Sequence, residues 1–443
     1  MQTSAPDPED PVGPGPGGPP GPVGTRATTA PQAPEPPASV GSRFIWLVTL
    51  AQGGVFVAFI TPLAISLSIK VEQIVPGQNQ YLGYITGAGA LAVVLTGPFL
   101  GIASDRTRTR LGRRRPFMIG GTLLGLVALV VMATATSIPA LMAGWVMAQL
   151  TWGQALGNLQ TITADMLPEH QRGKVAGLVG FATQIAPVLG VGLAGGLSGD
   201  HLLLFLVPGA LGAVLVGLFV VFIHEPDSRG MDLGHIRVVE VLRKLVFDPR
   251  RHPDFAWVWV GRFCFYFGLT FATTFTAFYF AHRLGISLGE VAGVIALLSL
   301  GNLVATSAGA LGGGFLSDRL RRRRAFVLVG SLFFAGGCLV TAVASSLVPL
   351  CVGALLSAVG IGTFAAVDQA LVLDVLPERE TEAGRYMGIV GFATSVPQAA
   401  APLVAPLVLA VGAGGSNYPL LYGLAAVVTV IGGIAVLRVR SVR

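Results

Sequence analysis

The chain has 443 residues, of which 53% are apolar and only 12% charged, with a formal charge of +7. Soluble globular proteins carry about 25% charged residues, so this composition excludes an ordinary soluble domain and describes an integral membrane protein. The 29 lysines and arginines gather in short loops between long uncharged runs, so they report topology rather than a nucleic-acid-binding surface.

Residues 1–42 contain twelve prolines and no apolar run, and read as a disordered cytoplasmic tail unable to bury enough surface to fold. No charged-then-apolar cleavable signal follows, so the first apolar helix is expected to stay in the membrane. A bilayer core needs about 20 apolar helical residues. Twelve such runs lie near 44–69, 81–103, 117–136, 140–164, 174–197, 202–223, 256–281, 288–315, 325–344, 348–371, 384–410 and 419–437.

Cationic loops are retained in the cytoplasm, and with twelve spans only Lys70 and Arg283 fall in loops placed outside. The chain is therefore expected to be a multi-pass protein of the cell membrane with both termini cytoplasmic. Its divisions are a six-helix bundle at 43–225, a cytoplasmic linker at 226–254 and a second bundle at 255–443. Within the linker, Ile236, Val239 and Val246 beside Arg237, Arg243 and Lys244 fit either a helix lying on the inner leaflet or a solvated helix.

The loop after the second span reads GIASDRTRTRLGRRRPF from Gly101 to Phe117. Gly101, Ser104, Asp105 and Arg106 recur as Gly314, Ser317, Asp318 and Arg319, and Arg113-Arg114-Arg115 recurs as Arg322-Arg323-Arg324. The second copy lacks counterparts of Gly112 and Pro116, so it is expected to matter less. Asp165-Met-Leu-Pro-Glu169 likewise returns as Asp374-Val-Leu-Pro-Glu378, and Gly180-Phe-Ala-Thr183 as Gly391-Phe-Ala-Thr394. One six-helix unit has been duplicated in parallel order.

Gly101, Asp105, Arg106, Gly112, Arg113 and Arg114 resemble the loop signature of the major facilitator superfamily, with more residues than usual between the Asp-Arg and Gly-Arg-Arg parts. The longer form, ending in Arg-Arg-Arg-Pro-Phe, resembles the sucrose-transporter and glycoside-pentoside-hexuronide branch. The resemblance implies an all-α fold of two six-helix repeats, a central solute site where they meet, and alternating access gated by these loops, with Asp318 and Arg319 in the second copy. It also implies that spans 2, 5, 8 and 11 form the moving interface. There Gly83, Gly87 and Gly89, Gly173, Gly177 and Gly180, and Gly384, Gly388 and Gly391 allow close backbone approach. Where proton-coupled sucrose carriers have an arginine in span 4, this chain has Gln160, with Gln369 as its mate in span 10.

Polar residues within the spans are few: Gln52, Gln149, Trp152, Gln154, Asn158, Gln160, Gln184, Asn302, Gln369 and Gln398. Amides both donate to and accept from a polyhydroxyl solute, and an indole stacks on a sugar face; the same amides also serve to hold helices together. Asp368 and Arg262 are the ionisable residues deep in spans, at similar depth in one half, where a charge is expensive and signals function. They form a candidate ion pair with Asp368 as the proton site. The other reading is that Arg262 snorkels to the interface and Asp368 makes a structural hydrogen bond.

No phosphate loop is present, and Cys264, Cys338 and Cys351 have no metal-ligand spacing, so neither cofactor nor metal is expected. Energy would come from a proton or solute gradient. The reading is a proton-coupled carrier of a sugar-like solute. The alternative is export of drugs or secondary metabolites, and the remote one a receptor or an intramembrane enzyme.

Overall fold

The computed structural model describes residues 39–197, 199–223, 225, 227–229, 247–378, 382–412 and 417–442, with the backbone alone at 169 and 383. Residues 1–38 of the expected tail and the proposed linker helix around Arg237 and Arg243 lie outside the described residues. Every regular element among the described residues is helical, as a bilayer demands of any segment that must satisfy its own backbone polar groups.

The first half contains α1 (Ser42–Ile74), α2 (Gln80–Arg106), α3 (Arg115–Thr134), α4 (Ile138–Met166), α5 (Glu169–Gly196) and α6 (His201–Phe222). The second contains α7 (Pro253–Thr274), α8 (Leu288–Leu320), α9 (Arg323–Val343), α10 (Leu347–Asp374), α11 (Ala383–Leu409) and α12 (Tyr418–Val436). A π-helical turn, Pro62–Ser66, interrupts α1, as expected where proline removes a ladder donor. Helix α7 breaks at Phe275 and resumes as Thr276–Leu284.

Eleven of the described helices are long and apolar enough to cross a membrane. The twelfth, α4, has 29 residues but is diluted by Gln149, Gln154, Asn158 and Gln160. Large apolar side chains such as Leu311, Val343 and Val348 lie on the outer surface, which suits a lipid solvent rather than water.

The duplication is reproduced in the packing. Pairs α1·α6, α3·α4, α2·α4, α3·α6 and α1·α5 have the counterparts α7·α12, α9·α10, α8·α10, α9·α12 and α7·α11. The halves meet through α2·α11 and α5·α8. Gly83 and Gly87 sit against Pro402 O and Leu403, where an added Cβ would lie 2.4 and 2.5 Å from its neighbour, so glycine is what lets α2 and α11 touch. Gly89 packs within its own half, on Trp145 and Gln149. Gly195 approaches Ala292, and Asn79 Nδ2 donates to Tyr418 OH at 2.8 Å. All these inter-half contacts lie toward the end opposite the arginine loops. Gly173, Gly177, Gly180, Gly384 and Gly391, toward the arginine-rich end, have no atom within 4 Å of an added Cβ.

The two cations expected in outer loops instead end helices. Lys70 Nζ, buried in α1, donates to Ala133 O at 2.8 Å, just before the end of α3. Arg283 donates to Ala342 O at 3.2 Å, in the last turn of α9, and to Tyr279 OH at 3.1 Å. A helix leaves its last carbonyls without partners and carries partial negative charge there, and both halves meet that need with a cation from the preceding repeat position. Lys70→Met removes the charged donor, at a cost of about 1.5–3 kcal/mol. The purified protein in detergent is expected to melt several degrees lower, whereas an unchanged melting temperature would mean that the carbonyl is satisfied without it.

Candidate functional site

At the arginine-rich end, α2 finishes in Asp105 and α3 begins after Arg114. Arg114 bridges Asp105 (2.9 Å) and Asp165 at the end of α4 (3.6 Å), while Arg113 reaches Asp165 at 3.2 Å. The second half repeats the arrangement: Arg323 joins Asp318 (3.1 Å) and Asp374 (2.5 Å). Arg115 donates to Val220 O near the end of α6, and Arg324 to Val439 O just beyond α12. The second loop has lost its turn glycine and proline but keeps the charged triad. Arg106 has an interaction partner, and Arg319 is exposed.

Gly112 adopts φ +87°, a left-handed conformation natural to glycine. Any Cβ there would lie 2.3 Å from Glu225 Oε2. That carboxylate accepts from the backbone N–H groups of Arg114 (2.9 Å) and Arg115 (3.2 Å), at the positive end of α3. Ser228 Oγ accepts from Thr109 N (3.0 Å), and its own hydroxyl lies 3.2 Å from the Thr107 and Thr109 carbonyls. Glu225 and Ser228 were missed in the sequence, where they fall at the last residue of the first bundle and in the linker; a carboxylate just past a span was the available signal.

Deeper in the second half, Arg262 Nη1 of α7 lies 2.6 Å from Asp368 Oδ2 of α10. Arg262 Nε donates to Thr394 Oγ1 of α11 at 3.2 Å, and its guanidinium lies 5.4 Å from the Tyr266 ring centre. The Asp368 side chain is 1% exposed, and its Oδ1 is buried with no hydrogen-bond partner among the described residues. Desolvating two charges is expensive unless they face each other, so Arg262 reaches inward to its partner rather than snorkelling. Among the described residues the first half shows no such pair: Leu159 occupies the place of Asp368, counted back from the repeated Asp165 and Asp374.

Between the halves lies a cavity of about 470 Å3, lined from α1, α2, α4, α7, α8 and α11. It contains Gln149, Gln398, Ser395 and a run of threonines, with Phe59, Leu63 and Leu269 among the apolar residues, and no ionisable side chain. Thr86, Thr270, Thr273 and Thr274 each donate to the carbonyl four residues earlier, at 2.7–2.9 Å. Their remaining capacity at the cavity is therefore to accept. A second cavity of about 640 Å3, with Glu72, His201 and His282, lies at the opposite end.

Only Gln149 and Gln398 of the expected binding residues line the central cavity. Trp152 does not line this cavity: it is 1% exposed and packs on Gly125 of α3. Nor does Asn158, which is buried, accepts from Ser104 Oγ at 2.8 Å and donates to Gln154 O, tying α4 to the end of α2. Gln154 lies 3.4 Å from Asn158 Nδ2, Gln52 is buried, and Asn302 has a buried Oδ1 without a partner. Gln160, Gln184 and Gln369 are exposed, away from this cavity wall. The threonines were passed over in the sequence because a hydroxyl that satisfies itself on its own helix makes an unremarkable span residue.

The family model of the Major Facilitator Superfamily matches residues 44–313 and 292–443. A stretch of 99 residues is 36% identical to the general alpha-glucoside permease of Schizosaccharomyces pombe, over 22% of this chain and 15% of that protein. Another of 148 residues is 29% identical to quinolone resistance protein NorA of Staphylococcus aureus, over 33% of this chain and 37% of that protein. The matches thus span well under half the length of these relatives. Among solved structures, the nucleoside transporter NupG superposes with TM-score 0.71 at 13% identity, covering 89% of this chain and 98% of its own. A D-xylose-proton symporter superposes with TM-score 0.69 at 15% identity, covering 90% and 98%. At these identities the structural likeness is one of fold.

Glu225→Ala strips two backbone donors of their acceptor and is expected to destabilise the loop by about 1–2 kcal/mol, as for a lost helix cap. Faster amide exchange at residues 109–116, with the rest of the first half unchanged, would register it; exchange equal to the parent protein would deny Glu225 that role.

Proposed function

Because the chain belongs to the Major Facilitator Superfamily, we propose that it is a secondary active carrier, coupled to protons, that moves a small neutral, hydroxyl-rich solute by alternating access. The observation that carries the solute class is the acceptor-rich, uncharged wall of the central cavity. Four threonine hydroxyls there already donate to their own helices, so the matching solute brings its own donors, as sugar hydroxyls do, while Gln149 and Gln398 both donate and accept. A cation or dicarboxylate would meet no counter-charge in that wall, and an unpaired buried charge is strongly disfavoured. The apolar residues opposite suit the carbon faces of a ring. The permease and symporter likenesses agree with this class.

For coupling, Asp368 is the proton site and Arg262 its counter-ion. Protonation would cancel the charge that holds Arg262, freeing the guanidinium from α10. Thr394, which accepts from Arg262, directly precedes the cavity residue Ser395 on α11, so release of the arginine is felt at the solute wall. Alternating access then links the two ligands because each state holds them unequally. The observed state is closed where α2 meets α11. With the arginine-rich end taken as cytoplasmic on the charge rule, this state reads as inward-facing, and Arg114 and Arg323 tether helices within their own halves.

A second reading, export of drugs or secondary metabolites, is favoured by the NorA match and by the apolar residues of the cavity. Binding of a panel of monosaccharides, disaccharides, glycosides, nucleosides and hydrophobic cations to the purified protein separates the two. A neutral polyhydroxyl ligand is expected to bind, with Gln149→Ala and Gln398→Ala each weakening it about three- to tenfold, the worth of one neutral hydrogen bond. Binding confined to hydrophobic cations, unaffected by either substitution, would establish the export reading instead.

A further inference from the structure

The two halves treat the start of the helix after each arginine loop differently. In the first half Glu225, a carboxylate from the chain itself, occupies the positive end of α3 and accepts from Arg114 N and Arg115 N. In the second half, the corresponding place at the start of α9 opens into a cavity of about 1240 Å3 lined by Arg321, Arg322, Arg323 and Arg324. The carboxylates that line it, Asp318 and Asp374, are both engaged by Arg323, and Arg324 is turned to the carbonyl of Val439. Arg321 and Arg322 are exposed and carry charge that no described residue answers. Four arginines against two carboxylates leave the lining at +2.

The cavity is also continuous with apolar surface. Leu320 and Leu437 line it, and Leu316 and Leu320, four residues apart and so on one face of α8, are both exposed. A free anion would use the arginines alone, whereas a phospholipid would use both parts: the phosphate diester on the guanidiniums and an acyl chain on α8.

We propose that this cavity binds the phosphate of an anionic phospholipid of the adjacent leaflet, which does in the second half what Glu225 does in the first. Arg321 and Arg322 supply charge-assisted hydrogen bonds to the phosphate oxygens. The bound lipid steadies the α8–α9 loop beside the Asp318–Arg323–Asp374 triad. The two loops are then held by different means, one by the chain and one by the membrane.

The test uses the full chain, purified and reconstituted in nanodiscs of phosphatidylcholine alone or with phosphatidylglycerol, then released into mild detergent and weighed by native mass spectrometry. Phosphatidylglycerol is expected to stay bound in preference to phosphatidylcholine. The double variant Arg321→Asn, Arg322→Gln is expected to lose that retention about tenfold, the effect of one charged contact or more; asparagine tolerates the left-handed conformation that Arg321 adopts at φ +51°. Arg108→Gln with Arg110→Gln, in the other loop, is expected to leave retention unchanged. Equal loss in that control would reduce the effect to general attraction of a basic surface and overturn the proposal. Thermal stabilisation by inorganic phosphate matching that by phosphatidylglycerol would also overturn it, in favour of a free-anion site. Should the double variant melt early, hydrogen exchange of the α8–α9 loop in the unmodified protein gives the second readout: protection in phosphatidylglycerol nanodiscs supports the proposal, and none refutes it.

Discussion

Inside a bilayer no water is at hand to satisfy a helix's terminal carbonyls or to solvate a charge, and the cations of this chain are placed accordingly. Lys70 and Arg283 serve the ends of α3 and α9. Arg115 and Arg324 serve the carbonyls at the ends of α6 and α12. Arg114 and Arg323 each tie the foot of one helix to the foot of another. Deep within a span lies Arg262, whose partner Asp368 is a second charge rather than a carbonyl. A cation on a terminal carbonyl is one way to satisfy the end of a span, whereas two charges brought together in the middle of a half meet no such need. Replacing such a pair by apolar residues is often neutral or stabilising, so its presence asks for a functional reason.

The duplication makes the asymmetries informative. Five helix pairings recur between the halves, and so do the triads and the carbonyl-seeking arginines. Against that background, the buried pair occurs in the second half, where the first has Leu159 in the place of Asp368, and Glu225 occurs in the first, where the second has an arginine-lined cavity. Thr394 links the buried pair to α11, and α11 meets α2 at the closed end through Gly83 and Gly87. A change of charge at Asp368 therefore has a short route, through one helix, to both the cavity wall and the contact between α2 and α11.

The spans were legible because length and hydropathy are properties of a whole segment, and α4 alone among the described spans is markedly more polar, because of its amides. The repeat was legible because Asp105 and Asp318, or Asp165 and Asp374, carry recognisable neighbours. Depth along a span could be counted from fixed points, which is why Arg262 and Asp368 could be matched across two helices. Rotation about the helix axis could not. Trp152 packs on Gly125 of α3 and Asn158 on Ser104 of α2, about 120° apart around α4, while Gln149 lines the cavity; amides spread around the helix give no single stripe from which to tell these faces apart. Glu225 and Ser228 were hidden because their contacts join residues more than a hundred positions apart.

The central claim is that Asp368 carries the coupled proton. Its most direct test is accumulation in proteoliposomes of the solute found by the binding panel, driven by an imposed proton gradient and compared with solute counterflow at equal pH. The account predicts that Asp368→Asn abolishes gradient-driven accumulation while counterflow persists, because the carrier still exchanges solute but has lost its proton. Gradient-driven accumulation at the parent level in Asp368→Asn, still collapsed by a protonophore, would contradict it and place the proton elsewhere.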